Sequence, residues 1–355
     1  MGHARPIAFL AALTPCVEFL TGSTSAIAVL TNPAVALTFV LLTLPGYILP
    51  VLLIREALVV WRKGLSSLLA LGIMYGAINE GLLAKTYFTV NPLSPPLGSP
   101  AGVGAWLGIN WPWVTGITLF HMVVSISVPV VLGFLIFPET RTVRFLSARQ
   151  VRVLVGLVLV EVLGLIAIQS TFSTTFRDLL PLLLLPAAIV LGGIYLARRL
   201  GVADATRTLA GRFGRPAGLV VASLVLFVVL FLPILRFFPV AFVPDVLLST
   251  ALAPLGAVQG VVLTVYPWIV AACVVRFFYR RTITDLQLAA IATGAMLIPL
   301  ATAISIHDVP QGDWAAAIAY IAALVVAWRR ARAHGGRWGS LGPTAGSGLA
   351  AGTGT

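Results

Sequence analysis

The chain has 355 residues, 59% of them hydrophobic and only 10% charged, with a mean hydropathy of +1.03. Soluble domains carry about 25% charged residues, so a soluble globular fold is excluded and a chain that crosses a bilayer many times is expected. The net charge of +12 does not point to nucleic acid, because the basic residues lie singly and in pairs between apolar runs, as topology determinants do.

Roughly 20 apolar residues cross about 30 Å of hydrocarbon, and ten runs meet that measure: 6–21, 34–54, 65–87, 113–137, 151–170, 179–198, 217–236, 256–275, 284–304 and 313–329. Together they predict one integral membrane domain over residues 1–334, an all-α polytopic bundle of about ten helices. The first run is short and interrupted by Pro15 and Glu18; the carboxylate inside it argues against a cleaved signal peptide, so it is read as a retained helix. The second carries Pro45 and Pro50, which break the helix and expose backbone groups that need a cavity or a neighbour to satisfy them.

The third and fourth runs hold most of the membrane-embedded polar groups, in YGAINEGLLAKTYF and WLGINWPWVTGITLFHMVVSISVPVVLGFLIF. With the third helix emerging near Phe88 and the fourth entering at Trp113, Glu80 and His121 each lie eight residues deep, about 12 Å at 1.5 Å per residue. They share a level. An ionised carboxylate in hydrocarbon needs protonation, water or a bonded neighbour, and His121, with an ordinary pKa of about 6.5, is the expected partner of Glu80. Thr118, His121 and Ser125 follow i, i+3, i+7 spacing and line one helix face. Lys85 lies about 140° round a regular helix from Glu80 and is expected to snorkel to the outer interface. Asn79 and Asn110 complete the polar set, while Trp111 and Trp113 mark the interface.

In the fifth run Glu161 sits near the midplane, where an ionisable group is a functional candidate by default. Pro181, Pro186 and Pro233 interrupt later helices. The loop VADATRTLAGRFGRP is expected to rest on anionic headgroups. His307, Asp308 and Asp313 share an outer loop that could supply a metal or close over the site from above, but a histidine next to an aspartate is common by chance, so no metal is expected. The glycine-rich tail, 335–355, has nothing to bury and is expected to be disordered. Cys16 and Cys273 fall near opposite membrane faces, beyond the roughly 7 Å that a disulfide allows.

Charge supplies an independent check. With the N-terminus inside, 20 of the 23 basic residues fall on the cytoplasmic side and only Lys85, Arg177 and Arg236 fall outside. Both termini are therefore expected in the cytoplasm. Ten helices divide into five and five, but the ionisable residues Glu18, Glu80, Lys85, His121 and Glu161 all lie in the first half, so a site shared symmetrically between repeats is not expected.

The strings EGLLAKTYF, WLGINWPW, FHMVVSISVP and FPE resemble a family of uncharacterised prokaryotic multi-pass membrane proteins, over roughly residues 50–140. The resemblance implies a place in a prokaryotic plasma membrane and weight on Glu80, Lys85, Asn110, Trp111 and His121, without assigning them roles. A more remote similarity is to CAAX-protease-like intramembrane glutamic proteases. It implies Glu80 as the base polarising a water and His121 as the group stabilising an oxyanion, from which this chain departs with Asn79 at the first acid and Lys85 displaced from the arginine position.

Three functions stay open at this stage. A proton-coupled carrier of a small solute would use Glu80, His121 and Glu161, with Asn79, Lys85, Asn110, Thr118 and Ser125 along the path. An intramembrane hydrolase acting on a peptide or lipid would use Glu80 and His121 as catalytic residues. A non-catalytic scaffold in envelope assembly or lipid binding would need neither. No phosphate-binding loop, nucleophile elbow or zinc-binding helix motif occurs, so no cofactor is expected. The expected partners are the lipid bilayer and an unidentified solute or peptide.

The charge count yields a direct test. In a Cys16→Ser, Cys273→Ser background, a single cysteine introduced between Leu93 and Gly104 is expected to react with an impermeant thiol reagent in intact cells, and Thr206→Cys is not. The reverse labelling pattern overturns the orientation.

Overall fold

The computed structural model describes residues 3–20, 24, 26–88, 104–172, 180–200, 207–208, 214–235, 258–279, 281–305 and 312–338. The chain is an all-α polytopic bundle in which eight helices among the described residues are long and apolar enough to cross a membrane. Short helices α1 (Ala4–Leu13), α2 (Cys16–Leu20) and α3 (Ala26–Thr31) precede α4 (Pro33–Val60), α5 (Leu65–Leu83), α6 (Trp111–Ile136) and α7 (Ala148–Phe172). Then follow α8 (Leu184–Arg199), α9 (Pro216–Leu235), α10 (Gln259–Phe278), α11 (Asp285–Ser305) and α12 (Gly312–His334).

Two expected elements differ. The first apolar run is not one helix, because Pro15 has no N–H and its ring clashes with the preceding turn; α1 ends at Leu13, with the Thr14 hydroxyl donating to the Leu10 carbonyl at 2.7 Å. The third ends at Leu83 rather than near residue 87, and the chain leaves it through Lys85 at φ 58°.

Helix starts are set by local chemistry. Asn32 and Asn110 each accept a backbone N–H of the following turn, from Ala34 at 3.0 Å and from Trp113 at 3.3 Å, with Pro33 and Pro112 just inside the helices. Three helices contain π-helical stretches: Phe39–Thr43 in α4, Ala77–Leu83 in α5 and His121–Ser127 in α6. Two have a clear cause, since Pro45 and Pro129 would drive their rings into the carbonyls of Leu41 and Ser125, and the helix widens there.

Helices α5 and α6 form the centre. In their most apolar windows 78% and 89% of residues are buried, against 6% for α7 and 17% for α8, which face outward. Gly72 and Gly76, spaced as GxxxG, allow α5 to lie directly on α6. A Cβ on Gly72 would stand 2.8 Å from the Met122 backbone, and one on Gly76 would stand 2.7 Å from the Thr118 carbonyl. Helices α7 and α8 pack on the widened turn of α5, and α9 and α10 pack on the first half of α6.

Small strands close the two ends. A two-stranded antiparallel ribbon, β1 (Ala105–Trp106) with β2 (Ile109–Asn110), precedes α6. At the other end β4 (Arg281–Thr284) pairs in parallel with β3 (Arg207–Thr208) and antiparallel with β5 (Arg337–Trp338). The tail expected to be unstructured from Gly335 therefore begins with a strand; residues 339–355 lie outside the described residues, as does most of the 202–216 loop.

Arg55 and Glu56 are buried at the same end. Arg55 pairs with Glu56 at 3.0 Å, donates to the carbonyls of Thr140 and Val143, and stacks 3.4 Å from the Phe145 ring centre. Glu56 also holds Arg144 at 3.3 Å and the Phe145 N–H at 3.0 Å. These bonds pin the 138–146 connection beneath the bundle.

The close crossing makes a specific claim. Gly76→Ala is expected to destabilise the detergent-extracted protein by about 1–3 kcal/mol, because the obstructing atoms are backbone and cannot swing away. Gly156→Ala, where a Cβ meets nothing within 4 Å, is expected to be neutral or mildly stabilising. Thermal melting of the two variants checks this, and equal midpoints would sink it.

Candidate functional site

The GxxxG crossing carries Glu80 and His121 into contact. Glu80 Oε1 lies 2.6 Å from His121 Nε2, and the side chains are 11% and 4% exposed. Glu80 Oε2 accepts from the Thr86 hydroxyl, whose oxygen in turn accepts from the Trp113 indole N–H at 2.9 Å. The Asn79 amide nitrogen stands 3.3 Å from Glu80 Oε1 and 3.2 Å from His121 Nε2. Because Asn79 and Glu80 lie on the π-helical turn of α5, neighbouring side chains reach the same imidazole.

The other ring nitrogen, His121 Nδ1, lies 2.7 Å from Ser125 Oγ. A hydroxyl can donate or accept. A neutral ring with Nε2–H toward Glu80 takes a hydrogen bond from Ser125 at Nδ1, and an imidazolium gives one there instead. Every polar atom of the pair therefore stays satisfied in either protonation state.

Three aromatic rings enclose the imidazole. Tyr75 stands edge-on at 5.6 Å, Phe120 at 5.7 Å and Tyr47 at 6.2 Å. The Tyr47 hydroxyl donates to Glu18 Oε1, and the Thr24 hydroxyl donates to Oε2 at 3.3 Å. Glu18 lies within electrostatic reach of both His121 and Glu80. The break at Pro15 turns α2 so that the Glu18 carboxylate faces the centre.

Glu161 enters the same region from α7. Both of its carboxylate oxygens are buried and have no hydrogen-bond partner among the described residues. It faces α4 beside Gly46, where a Cβ would stand 3.5 Å from Oε1, and it shares the field at Tyr75 with Glu18 and Glu80. Glu80 bonds the imidazole, Glu18 lies within electrostatic reach of it, and Glu161 acts on Tyr75, the ring edge-on to it.

Other polar residues of the two central runs are used differently. Thr118 bonds the Tyr87 hydroxyl and the Val114 carbonyl rather than the pair. Asn110 caps α6, and its N–H donates to the Tyr87 carbonyl at 3.0 Å. Lys85 does not snorkel: it is fully buried, with Nζ 3.3 Å from the Leu83 carbonyl. The left-handed turn at Lys85 folds the next residues back so that Phe88 bridges Ile109 of β2, and the lysine is covered. That burial pushes its pKa down to about 8 from 10.5. His307 and Asp308 lie outside the described residues.

Sequence spacing missed Glu18, Tyr47, Tyr75 and Thr86, because each reaches the centre from a segment whose packing no periodicity encodes. The acid in the interrupted first run was the one available signal.

A family model described as an uncharacterized membrane protein family matches residues 9–334. No curated protein and no solved structure matches the chain.

Lys85 generates a pH prediction. Its folded pKa is below its unfolded value, so the unfolded chain binds more protons between about 8 and 10.5, and stability rises with pH across that window. The melting temperature of the wild type is expected to gain on that of Lys85→Met as pH goes from 8 to 10. A difference that stays constant with pH would refute the buried, proton-shedding lysine.

Proposed function

The chain belongs to this uncharacterized membrane protein family, and from its multi-pass architecture and the polar cluster at its centre we propose that it is a proton-coupled carrier of a small solute. Glu80 and His121 hold and release the proton, Asn79 and Ser125 orient them, and Glu161 relays it at mid-depth. In this reading the pair lies toward the outer face of a prokaryotic plasma membrane.

One observation carries the reading: Glu161 presents two buried carboxylate oxygens without a donor among the described residues, and it acts, with Glu18 and Glu80, on Tyr75, whose ring stands edge-on to His121. An ionised carboxylate without donors is strongly unfavourable in hydrocarbon, so this group is suited to carrying a proton. Helix glue explains less. A hydrogen bond between membrane helices contributes about 0.6 kcal/mol, which accounts for the Glu80–His121 contact but supplies no reason for Glu161.

Hydrolysis also finds less support. A general base needs an oxygen within reach of the attacking water, whereas both Glu80 oxygens are engaged, one by His121 and one by Thr86. The neighbouring position is Asn79, so a carboxylate pair is absent there.

Wild type, Glu80→Gln and Glu161→Gln would be reconstituted in proteoliposomes containing a pH-sensitive dye and offered a panel of small solutes. Solute-dependent proton movement is expected in the wild type and is expected to fall to the protein-free rate in both variants. Their melting temperatures should stay within about 4 °C of wild type. Full activity in both variants overturns the proposal. Peptide or lipid hydrolysis that is lost in Glu80→Gln but kept in Glu161→Gln would replace it with the hydrolase.

A further inference from the structure

A groove of about 580 Å³ opens between α5, α8 and α10, away from the polar cluster. Its walls include Ile73, Ile189, Leu196 and Val275, and Arg276 and Tyr279 stand at one end. The volume lies within the range of small-molecule sites, but the walls offer hydrocarbon almost throughout. Gly192 leaves the groove open, since a Cβ there would meet nothing within 4 Å. The adjacent Gly193 is packed, its Cβ position 2.9 Å from Met74 Cβ and 3.0 Å from the Ala70 carbonyl.

The Arg276 end of this groove gathers positive charge. Ser66 bonds the Val275 carbonyl at 3.1 Å and Ser67 bonds the Ala197 carbonyl at 3.0 Å, which draws the ends of α5, α8 and α10 together. Lys63 caps α8 through the carbonyls of Arg198 and Leu200, each at 2.9 Å, and the Arg198 guanidinium lies 5.0 Å over the Trp61 ring. Arg276 lines that end of the groove, Lys63 and Arg198 stand beside it through the bonds to the chain at Arg198 and Leu200, and among the described residues none of Lys63, Arg198, Arg199 and Arg276 is ion-paired. Among the described residues, the acids Glu56 and Asp285 are already engaged, Glu56 by Arg55 and Arg144 and Asp285 by Arg141 at 3.0 Å.

An apolar slot that ends in uncompensated cations fits an amphiphile with an anionic head. We infer that the groove is a binding site for one anionic phospholipid of the adjoining leaflet, its acyl chain along the groove and its phosphate against Arg276. Guanidinium groups match phosphate oxygens in a bidentate geometry, and basic pockets between membrane helices select anionic headgroups in this way. A zwitterionic lipid would fill the slot equally well but leave the net charge uncompensated.

Delipidated full-length protein in detergent would be titrated with phosphatidylglycerol and with phosphatidylcholine of identical acyl chains, and bound lipid counted by native mass spectrometry. Phosphatidylglycerol is expected to bind more tightly to the wild type. Arg276→Gln, or Arg198→Gln as the second charge variant, is expected to weaken it by about fivefold without altering phosphatidylcholine. Gly192→Leu, which fills the slot without touching the α5–α8 contact, is expected to lower occupancy by both lipids at an unchanged melting temperature. Equal binding of the two lipids by wild type, or unchanged phosphatidylglycerol binding in Arg276→Gln and Gly192→Leu together, overturns the inference. So does equal thermal stabilisation by inorganic phosphate, because the acyl chain would then contribute nothing.

Discussion

A carboxylate placed in hydrocarbon must find donors within bonding distance, and that requirement governs the centre of this molecule. For Glu80 to stand 2.6 Å from His121, the backbones of two neighbouring helices have to approach until no side chain fits between them. Gly72 and Gly76 supply that approach against Met122 and Thr118. In a bilayer there is little hydrophobic force between helices, so close packing and interhelical hydrogen bonds have to hold them. Here both act at one crossing. The remaining helices are arranged around it, with α9 to α11 covering the inner pair and α7 and α8 turned toward lipid.

Widened helical turns adjust the aim of the side chains. The π-helical stretch of α6 arises ahead of Pro129 and contains His121 and Ser125; the one in α5 contains Asn79 and Glu80. Such turns disturb the regular ladder of backbone bonds, and α6 compensates locally, with the Ser127 hydroxyl donating to the Met122 carbonyl at 2.6 Å. The result is a pair whose polar atoms all have partners, in contrast to Glu161, whose oxygens have none among the described residues.

Charges at the basic end divide into two kinds by the same reasoning. Arg55, Arg141 and Arg144 meet carboxylates and carbonyls, and they fasten the 138–146 connection and β4 to the bundle. Lys63, Arg198, Arg199 and Arg276 meet no carboxylate and cluster where an apolar groove opens. The first kind is structural. The second leaves a positive field that no carboxylate among the described residues neutralises.

Membrane class and the all-α, multi-pass architecture were legible in the sequence, because hydropathy over about 20 residues answers directly to the thickness of a bilayer. The common depth of Glu80 and His121 was legible too, since distance along a helix is proportional to residue number. Lateral contacts were not. The break at Pro15 that turns Glu18 inward, the left-handed turn that buries Lys85, the capping role of Asn110 and the approach of Tyr47, Tyr75 and Glu161 all depend on which helix lies beside which, and at what rotation. Hydropathy carries depth along the membrane normal but no azimuth about a helix axis. Only the tertiary structure, through the glycine-mediated crossing and the π-helical turns, decided which polar groups meet.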